Sequence, residues 1–240
     1  MERRELPSSA ELAHAFAEWT AARLKAAIAE RGATLLIVSG GMTPVRYFQV
    51  LSGLILDWSR VSVTLADERR VPEESSRSNA RLVRENLLVG RAARAHFAPL
   101  ADSRLSPEQE LAAANARVAA LPLPADVAVL GMGEDGHTAS WFPGADRLAE
   151  AIDPGTRELV LPIVAPDAPE PRLTLTARVI LRARTLALHI EGDAKLKTLS
   201  RALEGGPIEE MPIRAALRGA SDRLTIFSTA PARQTAHAAI

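Results

Sequence analysis

Residues 126–144 read DVAVLGMGEDGHTASWFPG. An apolar, strand-like run, DVAVLGM, feeds a loop holding Gly131, Gly133, Gly136, two carboxylates and His137. In open α/β sheets, ligands bind in crevices outside the carboxyl ends of the strands. A histidine delivered there by a glycine-rich turn is a candidate general base, whereas a lone histidine would read as a structural one.

Working outward, the same strand, loop and helix succession recurs. TLLIV at 34–38 reads as a buried strand running into Ser39-Gly40-Gly41, with Thr43 as an N-cap and Pro44 at the first helical position. VSVTLA at 61–66 is a second strand, ending at Asp67-Glu68-Arg69. Ser78 to Leu88 reads as a helix and HFAPL at 96–100 as a short strand. Ser106-Pro107-Glu108-Gln109 is a capping box that opens a helix to about Ala120. Upstream, Ser8 or Ser9 caps a helix with Leu12, Phe16, Trp19, Leu24 and Ile28 near helical spacing, stopped by Gly32. This alternation predicts an α/β fold: three layers, α/β/α, with a mainly parallel central sheet. The segment 162–171, PIVAPDAPEP, holds four prolines and is expected to be irregular. The strands expected beyond it (RLTLT, TLALHI, RLTIFST) are too few for a separate core, so one domain is expected over 1–240.

Composition narrows the function classes. Lys+Arg and Asp+Glu both number 29, so nothing in the net charge favours nucleic acid or an anionic membrane as partner. With no cysteine, disulfides, thiolate catalysis and Cys-ligated metals are excluded. The opening MERRELPSSAELAHAF lacks the apolar core of a signal peptide, and no apolar run reaches membrane-spanning length. A soluble, cytoplasmic protein is expected. Neither HExxH nor His-x-His occurs, and His14, His96, His189 and His237 are scattered and read as structural or exposed. No metal and no cofactor are expected.

Ser39-Gly40-Gly41-Met42-Thr43-Pro44 joins a strand to a helix. Such a turn brings backbone N–H groups and a helix N-terminus to an anion, here with hydroxyls from Ser39 and Thr43. It lacks the Gly-Lys-Ser/Thr ending of an ATP-binding loop. Read alone, it is equally a tight turn with an N-cap. Arg172, opening RLTLT, and Lys195, in GDAKLK, are the cations that favour phosphate. Lys197 reads as a solvated helix residue. Asp67-Glu68-Arg69 read alone is a solvated charged turn, with Glu68 and Arg70 as salt-bridge residues.

GMGEDGHTASWFPG resembles the signature of the 6-phosphogluconolactonases and, more distantly, of the glucosamine-6-phosphate deaminases. SGGMTP at 39–44, DERRVP at 67–72, SNARLVRENLL at 78–88, RLTLT at 172–176 and EGDAKLK at 191–197 follow in the family's order. The resemblance implies a modified Rossmann-like fold. It also implies hydrolysis of 6-phospho-D-glucono-1,5-lactone to 6-phosphogluconate, the second step of the oxidative pentose phosphate pathway. The protein would act as a monomer or homodimer on a phosphorylated sugar lactone. His137 would be the general base, with Asp67 and Asp135 beside it as catalytic carboxylates. Ser39, Gly40, Gly41, Thr43, Arg69, Arg172 and Lys195 would bind substrate, the last two holding its phosphate. Backbone N–H groups of the 131–136 loop would face the oxyanion.

Two other functions compete. In the deaminases, the stretch after the histidine resembles Ala-Phe-Asn-Glu-Pro, with a glutamate that assists the histidine. Here it is Ala139-Ser140-Trp141-Phe142-Pro143, without a carboxylate, and the Asp-Glu-Tyr form of the other loop is also missing. A non-catalytic sugar-phosphate sensor is disfavoured by the intact histidine loop. The chain departs from the lactonase pattern at Met42, Arg77 and Trp141, where Ser, Asp and Leu are frequent.

Overall fold

The structure is a computed structural model that describes residues 1–166 and 168–231. His237 and the last residues of the chain lie outside the described part. Among the described residues, ten strands occur: β1 (Glu2–Leu6), β2 (Thr34–Val38), β3 (Val61–Leu65), β4 (Asp67–Arg69), β5 (His96–Ala98), β6 (Val127–Leu130), β7 (Val160–Ile163), β8 (Arg172–Leu175), β9 (Leu186–Ile190) and β10 (Leu224–Thr229). Between them lie α1 (Ser9–Arg31), α2 (Val45–Gly53), α3 (Asn79–Asn86), α4 (Pro107–Ala119), α5 (Leu148–Ile152), α6 (Ala177–Ile180), α7 (Asp193–Leu203) and α8 (Ile213–Gly219). Among the described residues, no helix is long and apolar enough to cross a membrane.

Seven strands form a wholly parallel sheet in the order β1-β10-β9-β6-β2-β3-β5, flanked by helices, which is the α/β architecture expected. From β2 the chain runs outward through β3 to β5. It then returns to the other side of β2 with β6 and continues through β9. The loops leaving β2 and β6 therefore diverge, and a crevice opens between them. Residues 39–44 and 131–137 are those two loops. Ser39 joins them: its hydroxyl donates to Val129 O at 3.0 Å and accepts the Gly131 N–H at 3.3 Å.

Local signals explain the helices. Ser8 caps α1 by accepting the Glu11 N–H, and Gly32 ends it at φ 78° with its N–H on Ile28 O. The capping box of α4 is present, with Ser106 and Gln109 exchanging side-chain and backbone bonds. Residues 34–38 are buried throughout, as a central strand covered on both faces requires. His189 in β9 is buried as well; that strand has no exposed face, although TLALHI reads as alternating.

Several expectations are corrected. β1 has no counterpart among the expected strands; it pairs in parallel with β10 at the sheet edge. A second, three-stranded antiparallel sheet, β4-β8-β7, stands apart from the main one. Asp67-Glu68-Arg69 is thus a strand rather than a solvated turn. Pro162 and Ile163 belong to β7, so the proline-rich segment is not irregular from its start. β7 is an edge strand, where the missing proline N–H costs no ladder bond. Thr43 does not cap α2: Pro44 occupies the N-cap position, and the Thr43 hydroxyl is taken by Lys195. Glu68 is no salt-bridge residue. Buried, it accepts the N–H groups of Arg69, Asn79 and Ala80 at 2.7–2.8 Å and the Ser78 hydroxyl. Burial raises its carboxyl despite those bonds. Arg70 does pair, with buried Glu110.

Candidate active site

The crevice is a cleft of about 230 Å³ walled by residues 39–44, by the loop after β6, and by Asp67, Arg69, Arg172 and Lys195. A larger groove, about 810 Å³, lies beside α3. Three of its arginines sit in ion pairs, Arg81–Glu85, Arg84–Glu73 and Arg104–Asp102, and Arg117 donates to Leu100 O, so its cations do not converge on a common point. The smaller cleft holds the chemistry.

His137 Nδ1 lies 2.6 Å from Asp135 Oδ1, and the same oxygen accepts the His137 backbone N–H at 3.0 Å. The carboxylate therefore fixes the proton on Nδ1 and leaves Nε2 as the basic nitrogen. Nε2 has no hydrogen-bond partner among the described residues. Burial pushes the Asp135 carboxyl up, but the bonds and charge of His137 outweigh it, and the net shift is downward. Gly133 makes the pair possible: a Cβ there would stand 2.2 Å from His137 Nδ1 and 2.5 Å from Asp135 Oδ1.

At the other loop, Lys195 Nζ donates to Thr43 Oγ1 at 3.1 Å, joining α7 to the turn before α2. Burial lowers the ammonium's proton affinity, partly opposed by Glu134 and Glu191. Gly40 is obligatory, because a Cβ there would stand 1.8 Å from Asn79 Oδ1. Gly41 adopts φ 85°, a conformation natural to glycine. Met42, 80% exposed, sits at the rim. Lys197 is exposed on α7, as expected.

The small sheet forms the third wall. Asp67 is buried, accepts the Ser140 hydroxyl at 2.6 Å, and lies 3.6 Å from Arg172 Nη1. Arg69 and Arg172 are register partners on β4 and β8. Arg69 Nη1 donates to Arg77 O at 2.6 Å, while the Nε atoms of Arg69 and Arg172 are buried without a partner. Burial lowers the proton affinity of Arg172, with Asp67 opposing.

Every residue singled out from the sequence borders this one cleft, except Asp135, which stands behind His137. Some details differ from expectation. The Ser39 hydroxyl donates within the fold. The N–H groups of Gly131, Gly133 and Gly136 are spent on Ser39 Oγ, His137 O and Gly133 O. Three residues escape a reading of the sequence alone. Asn79, in the Ser-Asn motif, donates to Asp67 O at 2.9 Å. Ser140 holds Asp67, and Phe142 packs on His137 with ring centroids 4.1 Å apart. Both lie within the histidine motif, where spacing alone does not reveal direction. Among the described residues, no group of three or more His, Asp or Glu side chains is placed to hold a metal ion.

The family model described as glucosamine-6-phosphate isomerases/6-phosphogluconolactonase matches residues 7–226. The chain belongs to this family. A 6-phosphogluconolactonase of Rhizobium meliloti (strain 1021) is 52% identical over 93% of this chain and 95% of its own length. One from Pseudomonas aeruginosa is 48% identical over 88% and 89%. A crystal structure of a 6-phosphogluconolactonase from Shewanella baltica OS155 superposes with a TM-score of 0.90 at 38% identity, covering 97% of this chain and 98% of that one. Within the family, the site has Phe142 where the deaminase pattern carries its glutamate, which sets this chain on the lactonase side.

Proposed function

We propose that the chain hydrolyses 6-phospho-D-glucono-1,5-lactone to 6-phosphogluconate, the lactone-opening step of the oxidative pentose phosphate pathway. The observation that carries this reading is a single cleft lined both by His137, paired with Asp135, and by the Thr43–Lys195 cradle. Relatives at 48–52% identity are 6-phosphogluconolactonases, which supports it. We also infer one domain, because one cluster of buried residues runs from Leu12 to Phe227, and a soluble, cytoplasmic enzyme.

In this mechanism, Lys195, Arg172 and the Gly40–Thr43 turn bind the phosphate, helped by the N-terminus of α2. Asp67, held by Ser140, accepts a hydrogen bond from a sugar hydroxyl. His137 Nε2 takes a proton from water as the water oxygen bonds to the lactone carbonyl carbon. Arg69 balances the oxyanion's charge, since the loop glycines have spent their N–H groups. When the bond from that carbon to the ring oxygen breaks, Nε2 returns the proton to the departing oxygen. The new carboxylic acid releases its own proton to solvent. Imidazole serves both transfers because its ordinary pKa lies near ~6.5.

The decisive experiment follows proton release from freshly prepared lactone against an enzyme-free blank, with and without chelator. A rate above the blank that chelator leaves unchanged is expected. A rate equal to the blank, or one that chelator abolishes and metal restores, overturns the reading.

A further inference from the structure

We infer that Phe142 is a positioning residue that holds the His137 imidazole from behind while also seating Arg172, so that one ring fixes two sides of the cleft. The inference rests on the lactonase reading for its kinetic consequence, though not for its geometry. Asp135 fixes only one edge of the imidazole, through Nδ1. One hydrogen bond at Nδ1 leaves the tilt of the ring about its Cβ–Cγ bond loosely held, and a change of tilt would move Nε2 away from the water it must deprotonate. The Phe142 face removes this freedom: the centroids are 4.1 Å apart and the planes are inclined at 33°. On the same ring, the Arg172 guanidinium carbon lies 5.0 Å from the centroid. An aromatic face carries partial negative charge and attracts both a guanidinium and the imidazolium that forms during turnover.

The backbone explains how residue 142 reaches back to residue 137. Thr138 and Trp141 pair across a tight turn, with Trp141 N donating to Thr138 O at 2.9 Å. Ala139 has φ 49°, the left-handed region an L-residue adopts at a cost. Trp141 is fully buried and anchors the turn through Nε1 to Leu175 O at 3.0 Å. Ser140 goes to Asp67 and Phe142 returns to His137. A single anchored turn thereby places both the base and the carboxylate opposite it. Phe142 itself is half-buried and outside the cleft wall, so it acts through His137 and Arg172 rather than by touching substrate.

The test compares wild type with Phe142→Leu and Phe142→Tyr. Each is first checked for an unchanged fold by its thermal midpoint. Phe142→Met, of similar bulk without a π face, replaces the leucine variant should that one unfold. Phe142→Leu is expected to lower kcat roughly 10-fold or more, as misplacement of a reacting group does, and to weaken 6-phosphogluconate affinity by about two- to fivefold as Arg172 loses its aromatic seat. Phe142→Tyr is expected to restore kcat. Independently of turnover, the His137 Cε1–H resonance, identified by its loss in His137→Asn, should sit upfield under the Phe142 ring and move downfield only in the leucine or methionine variant. An unchanged kcat in Phe142→Leu, a loss that tyrosine does not rescue, or an unmoved resonance overturns the inference. Absence of lactonase activity in the wild type would defeat the functional reading instead, and the resonance would still decide whether the ring holds His137.

Discussion

Asp135 Oδ1 receives two hydrogen bonds from one residue: His137 Nδ1 at 2.6 Å and the His137 backbone N–H at 3.0 Å. The carboxylate grips the histidine by ring and main chain together, which fixes tautomer and position at once.

From this grip, His137→Asn should lower kcat by roughly 10²–10⁴-fold, the scale for losing a general base. Asp135→Asn should lower it less, because Nε2 survives while its orientation weakens. Product affinity, measured calorimetrically, should hold in both. A His137→Asn variant with near wild-type kcat would show that another group activates the water. Because the Asp135 carboxyl is shifted downward, its stabilising link to His137 is complete above the ordinary value of 3.8 and is lost as pH falls below it. Denaturation midpoints of wild type and Asp135→Asn should therefore differ at about pH 7 and draw together as the pH falls below 3.8.

The phosphate end is separable from the chemistry. Arg172→Ala and Lys195→Ala should each weaken 6-phosphogluconate binding by about 1.5–3 kcal/mol, the range for hydrogen bonds to charged groups. Glucono-1,5-lactone lacks the phosphate and should be a poor substrate. Lys195→Ala should leave that poor rate unchanged. Equal damage to both lactones would assign the mutated cation to the reacting centre.

Burial lowers the proton affinity of Lys195 below its usual 10.5, so its charge is lost at lower pH than that of a free lysine. Affinity for 6-phosphogluconate should therefore fall on the alkaline side, beginning below pH 10.5, as neutral Lys195 accumulates. Lys195→Arg should flatten that fall, because arginine keeps its charge. Calorimetric titrations from about pH 7 to about pH 10 on both proteins check this, and identical alkaline falls would dissociate Lys195 from the phosphate.

Glycine substitutions give a steric test. Gly133→Ala drives a methyl into the Asp135–His137 pair, and Gly40→Ala drives one into buried Asn79. Both should lose most activity. Gly53 ends α2, and a methyl added there would meet nothing within 4 Å. It should accept alanine with stability unchanged or raised by up to about 1 kcal/mol. An active Gly133→Ala enzyme would show that the pair is dispensable.

What is legible in the chain divides by distance along it. The caps of α1 and α4 involve residues within four positions, so Ser8, Gly32 and the Ser106–Gln109 box can be read directly. β2, β3 and β6 announce themselves as unbroken apolar runs. β1 does not: ERREL has no apolar face, because it is held by edge hydrogen bonds to β10 rather than by burial. Thr43-Pro44 carries the local signature of a helix cap, yet Lys195, 152 residues on, claims that hydroxyl. Glu68 sits beside two arginines of the sequence, Arg69 and Arg70, yet caps α3 instead of pairing with either. The second sheet is hidden because Asp67–Arg69 is too short and charged to read as a strand. Its partner sheet member β7 begins beside a proline-rich run.

The pairing of β1 with β10 sets an order of assembly. Glu2 aligns with Thr225 and Leu6 with Thr229, so β1 and the strand it pairs with are separated by most of the fold's other elements. β10 must itself dock on β9 to present that edge. Loop closure over such separations is slow. During translation the ERREL segment has no strand to pair with until β10 has been made, and its four charges keep it hydrated while it waits.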